Sequence, residues 1–409
     1  MRTRAKRKYV ASDRARRERF ASETLCSVIG GDKVIKGKIK EDDKKYMQRA
    51  LELAEKGRGW TNPNPMVGAV IVKDGRIIGE GYHARCGEGH AEVNAFANAT
   101  EDPEGADLYV TLEPCSHYGK TPPCADLIIR KKIKRVVIAA LDPNPLVSGR
   151  GVKKLEEAGI EVASGLLEEE SIRLNEIFMK YIRKKEPFVL LKSAMSLDGK
   201  IATAAGESKW ISNESSRRHS QGLRNQYMGI LVGIQTVLED DPQLTCRLPR
   251  GKSPIRIVAD SKLRIPENAK ILEEQEKAAT ILAIAEPEDP EKEKRLLERG
   301  IQILHLPDGK GRVDLKKLFL RLGQEGIDSI LIEGGGSLAG SAVKTGMIDR
   351  VITYLAPMIL GGREAKSPVE GEGFAKLKDA LRLEEMEVIP LDGDLAITGR
   401  VVKECLPES

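Results

Sequence analysis

The feature that most constrains the fold is a succession of short, almost wholly apolar runs, each as long as one strand. They read MVGAVIVK at 66–73, DLYVTLE at 107–113, RVVIAAL at 135–141, FVLLK at 188–192, GILVG at 229–233, IRIVAD at 255–260, TILAIA at 280–285, IQILHL at 301–306, SILIE at 329–333 and RVITYLA at 350–356. Runs rich in Val, Ile and Leu without polar alternation are strands buried on both faces, so they need helices above and below them. Aromatic residues make up only 4% of the chain, which suits such aliphatic layers. Helical periodicity fills the gaps at 44–56, 90–99, 124–132, 152–158 and near 167–183, then at 213–226, 290–298, 314–323 and 337–345. Asp74-Gly75 between two apolar runs is a hairpin signal, and the segment 384–402 suggests another. The order in the first part, α-β-β-α-β-α-β-α-β-α, predicts a three-layer α/β domain.

Lys184-Lys185-Glu186-Pro187 interrupts the pattern, and a second α/β alternation follows. With 409 residues the chain suits two domains, expected at 41–185 and 186–409. Residues 1–40 read as a basic, disordered extension. Their first twenty positions hold nine Arg or Lys against Asp13 and Glu18, and without them the net charge of +5 falls close to zero. A solvated arm, a nucleic-acid contact and an organelle address all fit such a run. No stretch approaches the roughly 18 apolar residues of a membrane span. With no secretory leader read at the start, the six cysteines are expected as thiols or metal ligands in a cytoplasmic enzyme.

Two of them stand in 111-TLEPCSHYGKTPPC-124, and three of the five histidines fall within the same 42 positions, 83–124. Cys124 follows Pro122-Pro123 and is expected to open a helix. Pro114-Cys115 suggests the same. A helix start favours the thiolate, the form that binds metal. His90, Cys115 and Cys124 would leave one position of a tetrahedral zinc site open, the catalytic pattern, whereas recruiting His117 or His83 as fourth ligand would make the site structural. Zinc lowers the pKa of its water toward about 7, and Glu92, two residues from His90, is placed to shuttle a proton. Together these make a hydrolytic deamination.

HAE followed by TLEPCSHYGKTPPC resembles the cytidine-deaminase-like superfamily, and within it the bifunctional riboflavin-biosynthesis deaminase/reductase family. Nucleic-acid deaminases carry P-C-x-x-C. The longer C-x8-C spacing here is that of the riboflavin family and argues against a nucleic-acid partner. The resemblance runs over residues 41–405. It implies that His90, Cys115 and Cys124 bind one zinc ion per chain and that Glu92 is the proton shuttle. It also implies that Asn64, His83, His117 and Lys120 line the pocket. Asn64 offers both a donor and an acceptor to a pyrimidine edge, and Lys120 suits a phosphate.

In the second half, 192-KSAMSLDGKIATAAGESKWIS-212 is mostly small and polar and reads as a loop lining a cleft. The stretch SILIEGGGSLAG at 329–340 reads as strand, glycine turn and helix. Glycines there would let a ligand approach the backbone, and a purely structural tight turn fits equally well. These stretches, with GIQTVLEDDPQLTCR, resemble the family's reductase half, whose fold is dihydrofolate-reductase-like. The resemblance implies NADPH at Ala194, Trp210, Thr236, Asp240, Ser261, Gly335, Gly336, Ser337, Leu338, Ala339, Gly340 and Ser341. It implies the phosphoribosylaminopyrimidine substrate at Ser208, Arg224, Leu244, Arg247 and Glu333, with Lys192 beside the cleft. Arg224 and Arg247 are suited to grip a phosphate by forked hydrogen bonds. Asp240 and Glu333 are the candidate proton donors. The family resemblance further implies a homo-oligomer, and nothing in the sequence suggests a membrane partner.

Overall fold

The structure, a computed structural model, describes residues 37–118, 122–144 and 148–403. Its first half is a five-stranded sheet in the order β2-β1-β3-β4-β5. The elements run α1 (Asp43–Glu55), β1 (Gly68–Lys73), β2 (Arg76–Tyr82), α2 (Ala91–Ala97), β3 (Asp107–Leu112), α3 (Cys124–Arg130), β4 (Arg135–Ala140), α4 (Arg150–Glu157), β5 (Glu161–Ser164), α5 (Glu168–Leu174) and α6 (Glu176–Lys184). β1 pairs antiparallel with β2 and β3, while β3, β4 and β5 run parallel. Asp74 and Gly75 both take positive φ in the β1–β2 turn, as an Asp-Gly hairpin requires.

The near-continuous apolar strands are buried on both sides, as their composition demands. On β1, Ala69 and Ile71 join a core with Ala91, Ala95, Ala125, Ile128 and Leu155 from α2, α3 and α4. Val70 and Val72 point the other way, to Met47, Ala50 and Leu53 of α1. Three layers result, as the pattern predicts.

The second half holds a nine-stranded sheet in the order β10-β9-β8-β7-β11-β6-β12-β14-β13. Its elements are β6 (Phe188–Ser196), α7 (Glu214–Gln226), β7 (Gly229–Gly233), α8 (Ile234–Asp240), β8 (Ile255–Ala259), β9 (Thr280–Ile284), α9 (Pro290–Glu298), β10 (Gln302–His305), α10 (Leu315–Gln324), β11 (Ser329–Ile332), α11 (Gly336–Lys344), β12 (Ile348–Ala356), β13 (Leu383–Leu391) and β14 (Asp394–Val401). All pairings are parallel except β12–β14 and the terminal hairpin β13–β14.

Four local expectations are corrected. The helix expected near 167–183 is two helices, broken at Asn175, whose buried side chain bonds the backbone of Met66 instead of continuing one regular helix. β6 does not stop at Lys192 but runs to Ser196, because β12 pairs it residue for residue from Lys192 opposite Ile352 to Ser196 opposite Ala356. So residues 192–196 are strand, not cleft loop. The short helix α8 was not anticipated. Cys115 does not open a helix: it lies in the irregular segment after β3, and only Cys124 stands at a helix start.

Residues 37–402 form one compact unit. Helix α6 serves both sheets. Its Phe178 and Met179 pack with Leu112 and Ala140 of the first, and its Ile177 belongs to the core of the second. Arg350 of β12 donates to both carboxylate oxygens of Glu176 at 3.1 and 2.9 Å, and Tyr181 Oη donates to the Gly323 carbonyl at 3.1 Å. Among the described residues no helix is long and apolar enough to cross a membrane.

Candidate functional site

In the first half, three elements converge at the end of β3. Helix α2 begins immediately after His90, its N-cap residue, and carries Glu92 in its first turn. The helix lies so close to β2 that a Cβ on Gly81 would sit 2.2 Å from the Ala95 nitrogen, so the Gly-Glu-Gly stretch of β2 sets where His90 and Glu92 stand. Cys115 follows β3, and Cys124 starts α3. The ligand atoms of His90, Cys115 and Cys124 lie within 4.8 Å of one another. His90 Nδ1 is 3.6 Å from Cys115 Sγ and 3.3 Å from Cys124 Sγ. Tetrahedral zinc with ordinary bond lengths separates a sulfur and a nitrogen ligand by about 3.5 Å, so these donors fit that ion.

The electrostatics favour a thiolate. The Cys124 thiol, aided by His90 and the Cys124 backbone N–H at 3.3 Å, holds Cys115 down at about 4 against the effect of burial. The same bond and burial push Cys124 up, so one proton is shared by the pair until a cation displaces it. Glu92 is 3% exposed, and burial, then the nearby Cys115 charge, raise its carboxyl above the ordinary range. That is the environment of a proton-transfer group.

Asn64 lies in the turn after α1. Its side-chain amide is 3.3 Å from His83 Nε2, and His83 Nδ1 is 3.0 Å from the Gly89 carbonyl. The carbonyl can only accept, so Nδ1 carries the proton and Nε2 accepts from Asn64. Burial keeps the His83 pKa below its usual value, consistent with this neutral form. His83 is 3% exposed, with both ring nitrogens engaged by protein; it orients Asn64. His117 is exposed, and burial pushes Asp142 up to about 6 against the hydrogen bond that it accepts from the Asn144 backbone N–H at 2.8 Å. Lys120 lies outside the described residues.

Sequence reading missed Glu113. Buried at the end of β3, it accepts backbone N–H bonds from Gly149 and Gly151 at 3.0 and 2.9 Å and from Asp142 and Val152 at 3.3 Å. It thereby ties the segment after β4 to the strand end that carries Cys115. An acidic residue inside an otherwise apolar strand end was the available signal. Glu113→Gln presents an N–H group to backbone donors. It is expected to weaken zinc affinity by about 10- to 100-fold, as for other residues that orient ligands, measurable by competition with a chromophoric chelator.

In the second half, the implicated residues gather at the carboxyl ends of the parallel strands, the usual ligand edge of such a sheet. Lys192 and Ala194 lie on β6, Thr236 and Asp240 on α8 directly after β7, Ser261 two residues after β8, and Glu333 directly after β11. Glu333 accepts from Arg224 Nε and Nη2 at 3.1 and 2.9 Å and pairs with Lys192 at 3.6 Å. Its side chain is 8% exposed. Burial alone would raise its pKa, but Lys192 and Arg224 outweigh this and hold it at about 2. Lys192 also stands over the ring of Tyr354, whose hydroxyl bonds His219 at 2.7 Å. Tyr354 and His219 were not singled out from sequence, because nothing local marks them.

Arg224 therefore has its fork on Glu333, not free for a phosphate, and its Nη1 donates to the Thr245 carbonyl. Arg247 is exposed, and its backbone N–H is held by Gln221 of α7 at 2.8 Å, so the loop carrying buried Leu244 stays beside Arg224. Ser208 and Trp210 are exposed, with the Arg217 guanidinium 4.6 Å from the Trp210 ring. Asp240 pairs with Lys209 at 3.0 Å, and Ser261 Oγ accepts from Val313 N.

The glycine turn divides by role. A Cβ on Gly340 would meet the Glu370 carbonyl at 1.8 Å, and one on Gly336 the Ser367 carbonyl at 2.4 Å. These two glycines admit the chain's own 367–370 segment. Gly335, with nothing within 4 Å of its Cβ position, is the one that leaves open space. Leu338 is half-buried, Ala339 is buried, and Ser337 and Ser341 are exposed.

Comparison with known proteins agrees with both halves. Residues 40–140 match the cytidine and deoxycytidylate deaminase zinc-binding region, and residues 187–397 match the RibD C-terminal domain. The riboflavin biosynthesis protein RibD of Actinobacillus pleuropneumoniae is 50% identical over 341 residues, covering 83% of this chain and 90% of that protein. The Escherichia coli K12 protein of the same description is 43% identical over 368 residues, with 87% and 98% covered. Among solved structures, Acinetobacter baumannii RibD (form 1) aligns with a TM-score of 0.80 at 40% identity, covering 89% of this chain and 99% of that one. A Thermotoga maritima protein, described as a diaminohydroxyphosphoribosylaminopyrimidine deaminase/5-amino-6-(5-phosphoribosylamino)uracil reductase, aligns at 0.79 and 40% identity, with 88% and 99% covered. Both candidate sites fall within the two family matches, and the chain belongs to the RibD family of riboflavin-biosynthesis enzymes, in which a zinc-dependent deaminase and an NADPH-dependent reductase share one polypeptide.

Proposed function

We propose that the chain deaminates 2,5-diamino-6-(5-phosphoribosylamino)pyrimidin-4(3H)-one and then reduces the ribosyl group of the resulting 5-amino-6-(5-phosphoribosylamino)uracil to ribityl. Residues 41–185 carry the first step and 186–409 the second; of the basic extension 1–40, residues 1–36 lie outside the described residues, and Lys38 and Lys40 pack onto the first sheet. The observation that carries the reading is the buried Glu92, two residues from His90, beside three convergent metal donors.

His90, Cys115 and Cys124 hold one zinc ion. When bound, zinc supplies the Lewis acidity that makes a hydroxide nucleophile available near neutral pH. Glu92 takes one proton from the attacking water and delivers it to the departing ring 2-amino group, and the second water proton ends on the adjacent ring nitrogen, so that water and the aminopyrimidine become a ring carbonyl beside N–H and ammonia. Asn64, oriented by His83, reads the pyrimidine edge, while His117 and Lys120 serve the phosphoribosyl end.

In the second site, Ala194, Trp210, Thr236, Asp240, Ser261 and, from the glycine turn, Gly335, Ser337, Leu338 and Ser341 would hold NADPH, while Gly336 and Gly340 make room for residues 367–370. When bound, NADPH would supply the hydride for the sugar carbon, and these residues would fix the geometry. Ser208, Leu244 and Arg247 position the sugar phosphate, and Arg224, its fork held by Glu333 and its Nη1 on the Thr245 carbonyl, braces this end of the cleft. Glu333, held ionised, orients Arg224 and Lys192 and is not the proton source.

This reading places the enzyme in the cytoplasm as a homo-oligomer without a nucleic-acid partner. It is supported by the unpaired thiols Cys86, Cys115, Cys124 and Cys246 and by the edge strand β13, which exposes Met386 and Val388. The test is substrate choice. Ammonia release is expected from the diaminopyrimidine phosphoriboside and not from cytidine or deoxycytidylate. Comparable turnover of cytidine would overturn the reading.

A further inference from the structure

We infer that Asp328, which stands at the start of β11 in the second sheet, is a positioning residue of the deaminase site in the first. It acts through Asn62 on the loop that presents Asn64. The inference rests on the reading of Asn64 as the residue that meets the pyrimidine.

The loop 61–66 is gripped at both ends. At the far end, Asn175 accepts from the Met66 N–H at 2.8 Å and donates to the Met66 carbonyl at 2.9 Å. At the near end, Asn62 Nδ2 donates to Asp328 Oδ2 at 2.8 Å, across 266 positions of sequence. Between the grips, the Asn64 N–H bonds the Thr61 carbonyl at 2.8 Å, and the Asn64 side chain reaches His83. His83 is bonded in turn to Gly89, the neighbour of His90. A continuous set of contacts thus joins Asp328 to the deaminase pocket.

Asp328 is 1% exposed, and its other oxygen accepts from Ser329 Oγ at 2.6 Å. A buried carboxylate is a costly way to fasten two halves together, and the fastening exists elsewhere. Glu176 with Arg350, Tyr181 with Gly323, and the apolar face of α6 already join the sheets. What the Asn62–Asp328 bond adds is the orientation of one loop. A displacement of about 1 Å in such a group lowers catalysis by up to about 100-fold.

The test uses the full-length chain. Asp328→Ala is expected to raise the deaminase KM by about 10- to 100-fold. It should weaken substrate affinity equally when binding is measured in a Glu92→Gln background, where turnover does not interfere. Zinc content and the rate of NADPH oxidation with the deaminated substrate should stay unchanged. Asp328→Asn should retain function, because its amide oxygen accepts from Asn62 while its NH2 donates to Ser329 Oγ. Asn62→Asp should reproduce the loss by setting two carboxylates face to face, and the exchanged pair Asn62→Asp/Asp328→Asn should recover it. Unchanged affinity in Asp328→Ala and Asn62→Asp would overturn the inference. So would a parallel loss of both activities that the exchanged pair fails to rescue, since that marks a purely structural latch. Asn64→Ala separates the two levels. If it leaves affinity unchanged, the underlying reading of Asn64 fails. If it weakens binding while Asp328→Ala does not, the positioning role alone fails.

Discussion

Glu92→Gln is expected to slow ammonia release by between about 10²- and 10⁴-fold, the range for loss of a proton-transfer group, while leaving one zinc per chain and a normal reductase. The size follows from the site. Glu92 is buried in the first turn of α2, and its carboxyl pKa is raised by burial and by the Cys115 charge. Glutamine has the same shape and keeps hydrogen bonding to the site, so the metal donors need not move. It cannot accept a proton from water and pass it on. Ammonia release, metal content and NADPH oxidation with the deaminated substrate are three separate assays. Equal loss of all three would mean that the substitution damaged the fold.

The second large effect lies at Glu333. Glu333→Gln leaves the largely buried cations Arg224 and Lys192 without their counter-charge, an arrangement that destabilises by about 3–5 kcal/mol. The pKa shift agrees in scale. From an ordinary 4.5 to about 2 in the fold, it corresponds to about 3 kcal/mol for this almost fully buried carboxylate. Because the folded value is the lower one, this stabilisation is complete above pH 4.5 and is lost as the pH falls toward 2. The variant should therefore unfold at a markedly lower temperature at pH 7, with the gap from the parent narrowing under acid conditions. Reductase activity should fall by about 100-fold, since Arg224 loses the bidentate bond that fixes it. Thermal unfolding from pH 7 down to 3, with NADPH oxidation at pH 7, checks both. A variant as stable as the parent would show that the cations find other partners.

What was legible in the sequence was local. The strands of both sheets announced themselves because burial on two faces leaves no room for polar residues. The metal donors were legible because His90 with Glu92, and Cys115 with Cys124, are close in sequence and flanked by helix and turn signals. What stayed hidden depends on contacts across the chain. Asn175 breaks a helix because Met66, 109 positions away, needs its side chain. Residues 192–196 look like a loop because they are small and polar, and only the pairing with β12 makes them strand. Arg224 looked free to grip a phosphate until Glu333, also 109 positions off, was found on its fork. Gly336 and Gly340 looked ligand-facing, yet they make room for residues 367–370. Glu113 was passed over because its four partners lie 29 to 39 residues further on.

The central claim is that one chain holds two separate sites used in a set order. It is tested most directly by giving the enzyme the diaminopyrimidine phosphoriboside without NADPH and following ammonia. The expected result is ammonia release at the full rate with the aminouracil accumulating, then oxidation of one NADPH per ammonia once the cofactor is added. Ammonia release that requires NADPH, or NADPH oxidation by the Glu92→Gln variant given only the undeaminated substrate, would contradict it.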